Sequence, residues 1–160
     1  MPQPRRDIGL ETAGFSAAIV KQDPDGWKYL VFQRAETETY PGYWNFLTGV
    51  KKGSETVAQS VVREVKEQAG LTDMRLFASE YVVQFYEPEN DKIWMLPLVV
   101  VVVPPASEIR LSPEYQKYDW MTSRRARTRV SWKNIVRAID DIADELEIFP
   151  AKNWVEIKAE

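Results

Sequence analysis

The chain has 160 residues, 44% of them apolar and 28% charged, a balance typical of soluble globular proteins and sufficient for one domain over residues 1–160. It contains no cysteine and no histidine, which excludes disulfides, thiolate nucleophiles, Ser-His catalysis and imidazole metal ligands; acid–base work falls to Asp, Glu, Lys or Tyr, and any metal site is carboxylate-based. A net charge of −3 gives no bulk attraction to a nucleic-acid polymer or an anionic membrane.

Residues 1–7 are polar and proline-rich without the apolar core of a signal peptide, and the longest apolar run, residues 98–103, is far too short to span a bilayer. A cytoplasmic location is expected. Residues 15–21 are rich in β-formers, residues 23–26 carry a strong turn signal, and residues 27–34 read as the returning strand of a hairpin. Arg34 ends that strand, where its guanidinium either reaches a substrate phosphate or serves as a strand-end charge. Residues 35–43 form a polar loop that delivers Trp44 and Asn45; the Trp44 ring is placed either to stack on a flat base or to pack in the core.

Residues 44–71 are the most informative stretch. They predict a short strand over 45–48, a loop with lysines and glycines over 49–54, and a helix over 55–69. Ser54 is placed as its N-cap, Glu55 puts negative charge in its first turn, and Gly70 is placed as its C′ stop. Val57, Val61, Val65 and Ala69 recur every four residues, with Ala58 and Val62 beside them, so one face must pack on something. Glu64, Glu67 and Gln68 stand at i, i+3 and i+4 and are expected to converge on one patch about opposite that stripe. Two carboxylates and an amide oxygen on one face suit a hard cation; the alternative is a solvated acidic face beside Arg63 and Lys66.

Residues 74–86 and 92–103 read as two long strands joined by a turn at 87–91, the second of them central in a covered sheet, with a bulge or strand start near Pro97. A further strand is expected over 115–121, after an acidic loop that holds Glu114. Arg124, Arg125, Arg127 and Arg129 form the one basic cluster, either a phosphate contact or plain surface. Ser131 is placed to cap a last helix over 132–146, with Ile135, Val136, Ile139, Ile142, Ala143 and Leu146 on one face.

The spacing Gly49, five residues, Glu55, seven residues, Arg63-Glu64-Val65, one residue, Glu67, then Gly70-Leu71 resembles the signature of Nudix hydrolases. Gln68 stands where that pattern has its last glutamate. The order of Trp120 and the final helix is similar to dihydroneopterin triphosphate pyrophosphatases and bacterial dNTP pyrophosphohydrolases. The resemblance implies an α+β Nudix fold, a mixed β-sheet sandwiched between α-helices, and Mg²⁺-dependent (or Mn²⁺-dependent) hydrolysis of a nucleoside or pterin triphosphate to pyrophosphate and the monophosphate.

It also implies roles. Glu64 and Glu67 would bind the cation with the Gly49 carbonyl, Gln68 would offer a neutral oxygen, and Glu114 would bind metal or act as general base. Arg63 and Glu55 would pair to orient Glu64, and Lys51 or Lys52 would join Arg34 at the phosphates, with Trp44 at the base. The partner is a small molecule, and a homodimer is compatible with the family. Two alternatives stay open: a Nudix-fold nucleotide-sensing module whose catalysis is weakened or lost at Gln68, and a hydrolase of dinucleoside polyphosphates or other nucleoside diphosphate derivatives.

Overall fold

In β2 (Gly14–Asp23) up to Val20, and along β7 (Lys92–Val102), successive side chains point to opposite faces and nearly all of them are apolar, so both strands must be covered on both sides. A computed structural model, describing residues 1–146 and 154–159, shows how. The two strands pair in parallel at the centre of a nine-stranded mixed sheet. Outward from β2 come β3 (Gly26–Arg34) and β4 (Trp44–Asn45); outward from β7 come β6 (Arg75–Glu87) and β9 (Val155–Ile157). β1 (Gly9–Glu11) also pairs with β7, β5 (Leu47–Val50) with β2, and β8 (Tyr115–Met121) with β3.

Phe15, Ala17 and Ile19 of β2 and Val99 and Val101 of β7 face helix α1 (Val57–Ala69), which buries Ala58, Val61, Val65 and Ala69 against them. Ala18, Val20, Leu98 and Val100 face the other side, covered by α2 (Ser123–Arg129) and α3 (Lys133–Leu146) through Ala126, Ile135, Ala138, Ile139, Ile142 and Leu146. The expected sheet between helices is therefore what forms. Each fully buried Val, Ile or Leu contributes about 1.5–3 kcal/mol, so these two stripes fix both helices to the sheet. No helix among the described residues is long and apolar enough to cross a membrane.

Three local expectations are corrected. The α1 cap is Thr56, not Ser54: its side chain accepts from the Gln59 amide at 3.2 Å while the Gln59 side chain accepts from the Thr56 amide at 2.9 Å, a reciprocal box that outcompetes a lone serine two residues earlier. Glu55 thus lies before the helix. The bulge expected near Pro97 does form, on the partner strand: β7 runs through Pro97, while β6 takes four steps from Ala78 to Val82 against two in β7 from Val99 to Pro97. On the other edge of β7, pairing with β1 ends at Trp94 and pairing with β2 begins at Leu98, so Pro97 falls in the gap between those two ladders. The arginine cluster is itself a helix, α2, capped by Thr122, and the Ser131 hydroxyl accepts from the Trp44 amide at 3.1 Å ahead of an α3 that begins at Lys133. Gly70 does close α1 in the left-handed region, at φ 71°, where a Cβ would also meet that of Arg110 at 2.8 Å.

Candidate functional site

Arg63 is the hub of the site. From the middle of α1 its guanidinium reaches back to Glu55 through Nε (2.8 Å) and Nη2 (2.9 Å), and Nη2 also meets the Val50 carbonyl at 3.1 Å. Nη1 lies 2.5 Å from Glu64 Oε1 and 3.6 Å from Glu67 Oε2. Such a two-pronged pair is geometrically selective. Glu55 also accepts from the Lys52 amide at 2.8 Å and from the Ser60 hydroxyl at 3.0 Å. Hydrogen bonding from Arg63, then from Lys52, pulls the Glu55 carboxyl down to about 2, whereas the guanidinium is pushed up by its bonds to Glu55 and then Glu64.

Glu64, Glu67 and Gln68 do converge, Gln68 on Glu64 and both carboxylates on Arg63 Nη1, but Gln68 does not lie opposite the apolar stripe. Gln68 is seven residues beyond Val61, about two helical turns, and so stands on the buried face; it is 2% exposed, against 56% for the Glu67 side chain and 13% for that of Glu64. Its Nε2 donates to the Thr48 carbonyl at 3.2 Å and to Glu64 Oε2, while its Oε1 accepts from the Tyr115 hydroxyl at 2.5 Å. Only one orientation of the amide satisfies this surround, because Thr48 O and the Glu64 carboxylate accept and the Tyr115 O–H donates. Gln68 therefore presents N–H groups to Glu64 rather than a free ligand oxygen. Thr48 and Tyr115, which complete this cluster, carry no signal in the sequence beyond their places on β5 and β8.

Gly49 is a glycine for a reason of space. A Cβ there would come within 2.6 Å of the Phe15 ring and 2.9 Å of Glu64 Cγ, so only bare backbone lets Glu64 approach the strand. Beyond Gly49 opens a cleft of about 720 Å³, which Thr48, Gly49, Arg34 and Glu114 border at one end. Arg34 is tied by its Nε to the Thr39 carbonyl, with Glu38 at 4.0 Å from Nη2. The Glu114 carboxyl is pushed up, first by burial and then by Glu64 and Glu38, with Arg34 opposing.

Other expected residues lie elsewhere. Lys51 and Lys52 are exposed and, like Trp44, do not border the cleft; the Lys51 amide donates to Ala13 O at 2.8 Å. The Trp44 ring packs on the core beneath the Arg129 guanidinium, 4.9 Å from its centroid. Arg125 and Arg127 pair with Asp119 and Asp140. The rings that do border the cleft are Phe15, Tyr40, Phe85, Tyr86, Trp94 and Trp132, with Glu87 and Asn134 among them; the spacing of the sequence marks none of these as site residues.

Among the described residues no group of three or more acidic side chains stands close enough together to hold a metal ion. In donor type, though not in spacing, the residues expected at the cation suit a hard divalent ion. Glu64, Glu67, Glu114 and the Gly49 carbonyl are all oxygens, and Glu64 and Glu67 both add to the negative potential that raises the Glu114 carboxyl. Glu64 Oε1 and Oε2 each receive a hydrogen bond, and each oxygen has a second lone pair. The set carries one charge fewer than four carboxylates would, because Gln68 is a donor.

Comparison with known proteins places this geometry. Among solved structures the chain is similar to a C. elegans Ap4A hydrolase (TM-score 0.74, 18% identity, 87% of this chain and 99% of that one). It is also similar to the E. coli dihydroneopterin triphosphate pyrophosphohydrolase (0.67, 21%, 79% and 91%) and to the NUDIX domain of Shewanella oneidensis NrtR complexed with ADP ribose (0.67, 12%, 89% and 90%). These likenesses show the fold. A curated octanoyltransferase of Myxococcus xanthus is 29% identical over 141 residues, 84% of this chain, and the chain spans 35% of that protein's length. The NUDIX domain family model matches residues 13–139, from the start of β2 into α3, and so takes in the Gly49 strand, the Arg63 hub and Glu114 together: the chain belongs to the Nudix family.

Proposed function

We propose that the protein hydrolyses a phosphoanhydride bond of a nucleoside or pterin triphosphate, releasing pyrophosphate and the monophosphate. One observation carries the reading: Glu64, immobilised by Arg63 and Gln68, lies directly against Gly49, and Gly49 borders a cleft together with Glu114 and Arg34. Water must reach phosphorus in line with the leaving group, and its proton needs an acceptor. Glu114 is that acceptor, since burial and neighbouring carboxylates raise its proton affinity toward the range a general base requires. Arg34, next to Glu114 at the head of the paired strand and fixed by its bond to the Thr39 carbonyl, meets the phosphate. A divalent cation held by Glu64, Glu67 and the Gly49 carbonyl would neutralise phosphate charge, leaving Glu114 free to take the proton. Arg63 and Glu55 touch no substrate; they hold Glu64 in place.

The similar C. elegans and E. coli proteins are an Ap4A hydrolase and a dihydroneopterin triphosphate pyrophosphohydrolase, which supports phosphoanhydride hydrolysis, the second of them on a triphosphate. Incubation with dNTPs, dihydroneopterin triphosphate, Ap4A and ADP-ribose under Mg²⁺ and under Mn²⁺ tests it. Pyrophosphate release from a triphosphate is the expected result. Absence of product from every compound under both ions would sink the reading, and binding without product would leave a nucleotide-binding module.

A further inference from the structure

We infer that the far end of the cleft selects a heterocycle presenting two adjacent N–H donors, the edge shared by guanine and pterin rings. Glu87 ends β6 and borders the cleft; its Oε2 accepts the Trp94 Nε1–H at 3.0 Å, which fixes the carboxylate beside the Trp94 ring. That ring lies parallel to Phe85, its cross-strand partner, with centroids 6.2 Å apart and 9° between planes. Phe85 is 42% exposed, so a flat apolar surface faces the cleft next to a fixed anion. A carboxylate accepts about four hydrogen bonds, and the Trp94 bond leaves most of that capacity to a ligand.

Asn134, which packs on the same strand beside Phe85, supplies a second acceptor. Asn134, in the first turn of α3, donates through Nδ2 to the Gln84 carbonyl at 3.4 Å, which directs its amide oxygen away from that partner. Asn134 Oδ1 is buried and has no hydrogen-bond partner, and the residue borders the same cleft. A buried acceptor left unpaired is costly, and an arriving N–H relieves it.

Glu87 and Asn134 thus offer acceptors to whatever lies between them. On the pairing edges of adenine, cytosine and thymine, donors and acceptors do not give two neighbouring N–H groups; guanine carries N1–H beside its 2-amino group, and the pterin ring carries the same pair. A carboxylate receives such a pair with two parallel bonds. Charge sets the direction of the ligand. Glu87 and Glu89 repel phosphate at this end, Arg34 attracts it at the other, and the five steps of β7 between Lys92 and Pro97 put the two ends on the order of 17 Å apart.

This inference rests on the proposed function for its phosphate end only, so its test uses compounds that are not cleaved. Calorimetric titration with the α,β-imido analogues of dGTP, dATP, dCTP and dTTP in Mg²⁺ should show the dGTP analogue binding at least about tenfold more tightly than the others. Glu87→Gln should abolish that preference while leaving the affinity for the other three and the thermal midpoint unchanged, and dihydroneopterin triphosphate should compete with the dGTP analogue. Equal affinity for the four analogues, binding of none, or a Glu87→Gln variant that weakens all four alike would overturn the inference. A selective dGTP analogue in a protein that cleaves nothing would keep it and remove the hydrolase reading.

Discussion

Glu55, just before α1, and Glu114, at the head of β8, are carboxylates of one site that their surroundings treat in opposite ways. Glu55 is gripped by Arg63, the Lys52 amide and Ser60, and its carboxyl is held down near 2. Glu114 has burial and the negative potential of Glu64 and Glu38 against it, so its carboxyl is raised. A fully paired group resists any change of protonation and serves as a fixed strut. An acid destabilised in its charged form is poised to exchange a proton, and the contrast separates the part of the site that keeps shape from the part that does chemistry.

The largest expected effect lies between them. Glu64→Gln deletes charge at the cation site while preserving shape, and should lower kcat on the order of a hundredfold or more with the fold intact by circular dichroism. Near-normal turnover would show that Glu64 belongs with the struts. Next comes Gln68→Glu. A carboxylate there would face the Thr48 carbonyl and Glu64 with no N–H to offer, so the cation-free variant should lose about 1–3 kcal/mol in denaturant titration. Mg²⁺ should restore much of that loss, because the ion binds the folded state. Tyr115→Phe removes one bond to Gln68 and should cost about 0.5–1.5 kcal/mol.

The smallest effects are those of pH, and they have opposite signs. Glu55 has a folded value below its ordinary 4.5, so its contribution is present above about pH 4.5 and is lost as pH falls toward 2. Glu55→Gln should therefore be less stable than the parent at pH 7, and the two should converge near pH 2. Glu114 has a raised folded value, so the parent loses stability as pH rises through it. In chelator, Glu114→Gln should melt above the parent at pH 7 and level with it near pH 4.

What the sequence disclosed follows from where its information is local. The hairpin of β2 and β3, the apolar stripes of α1 and α3, the central position of β7 and the Gly70 stop all follow from periodicity and turn chemistry within a few residues. The spacing from Gly49 to Leu71 likewise singled out Arg63 and Glu55, which do meet. Gln68 was misplaced because a four-residue spacing shows which residues are neighbours but not how their shared face is turned; the count from Val61 puts it on the buried side. Thr48, Tyr115, Glu87 and Asn134 were illegible for a different reason. Each acts through a partner on another strand or helix, brought to it by a sheet pairing that no short window of sequence encodes.

The central claim, cleavage of a phosphoanhydride at the end of the cleft bordered by Gly49 and Glu114, is tested most directly by ³¹P NMR of a triphosphate incubated with the protein in H₂¹⁸O. With Mg²⁺ present, the monophosphate and pyrophosphate should appear over many turnovers, one of them carrying a single ¹⁸O, and chelator should stop the reaction. An unchanged triphosphate spectrum with dGTP and with dihydroneopterin triphosphate, under both Mg²⁺ and Mn²⁺, would contradict it.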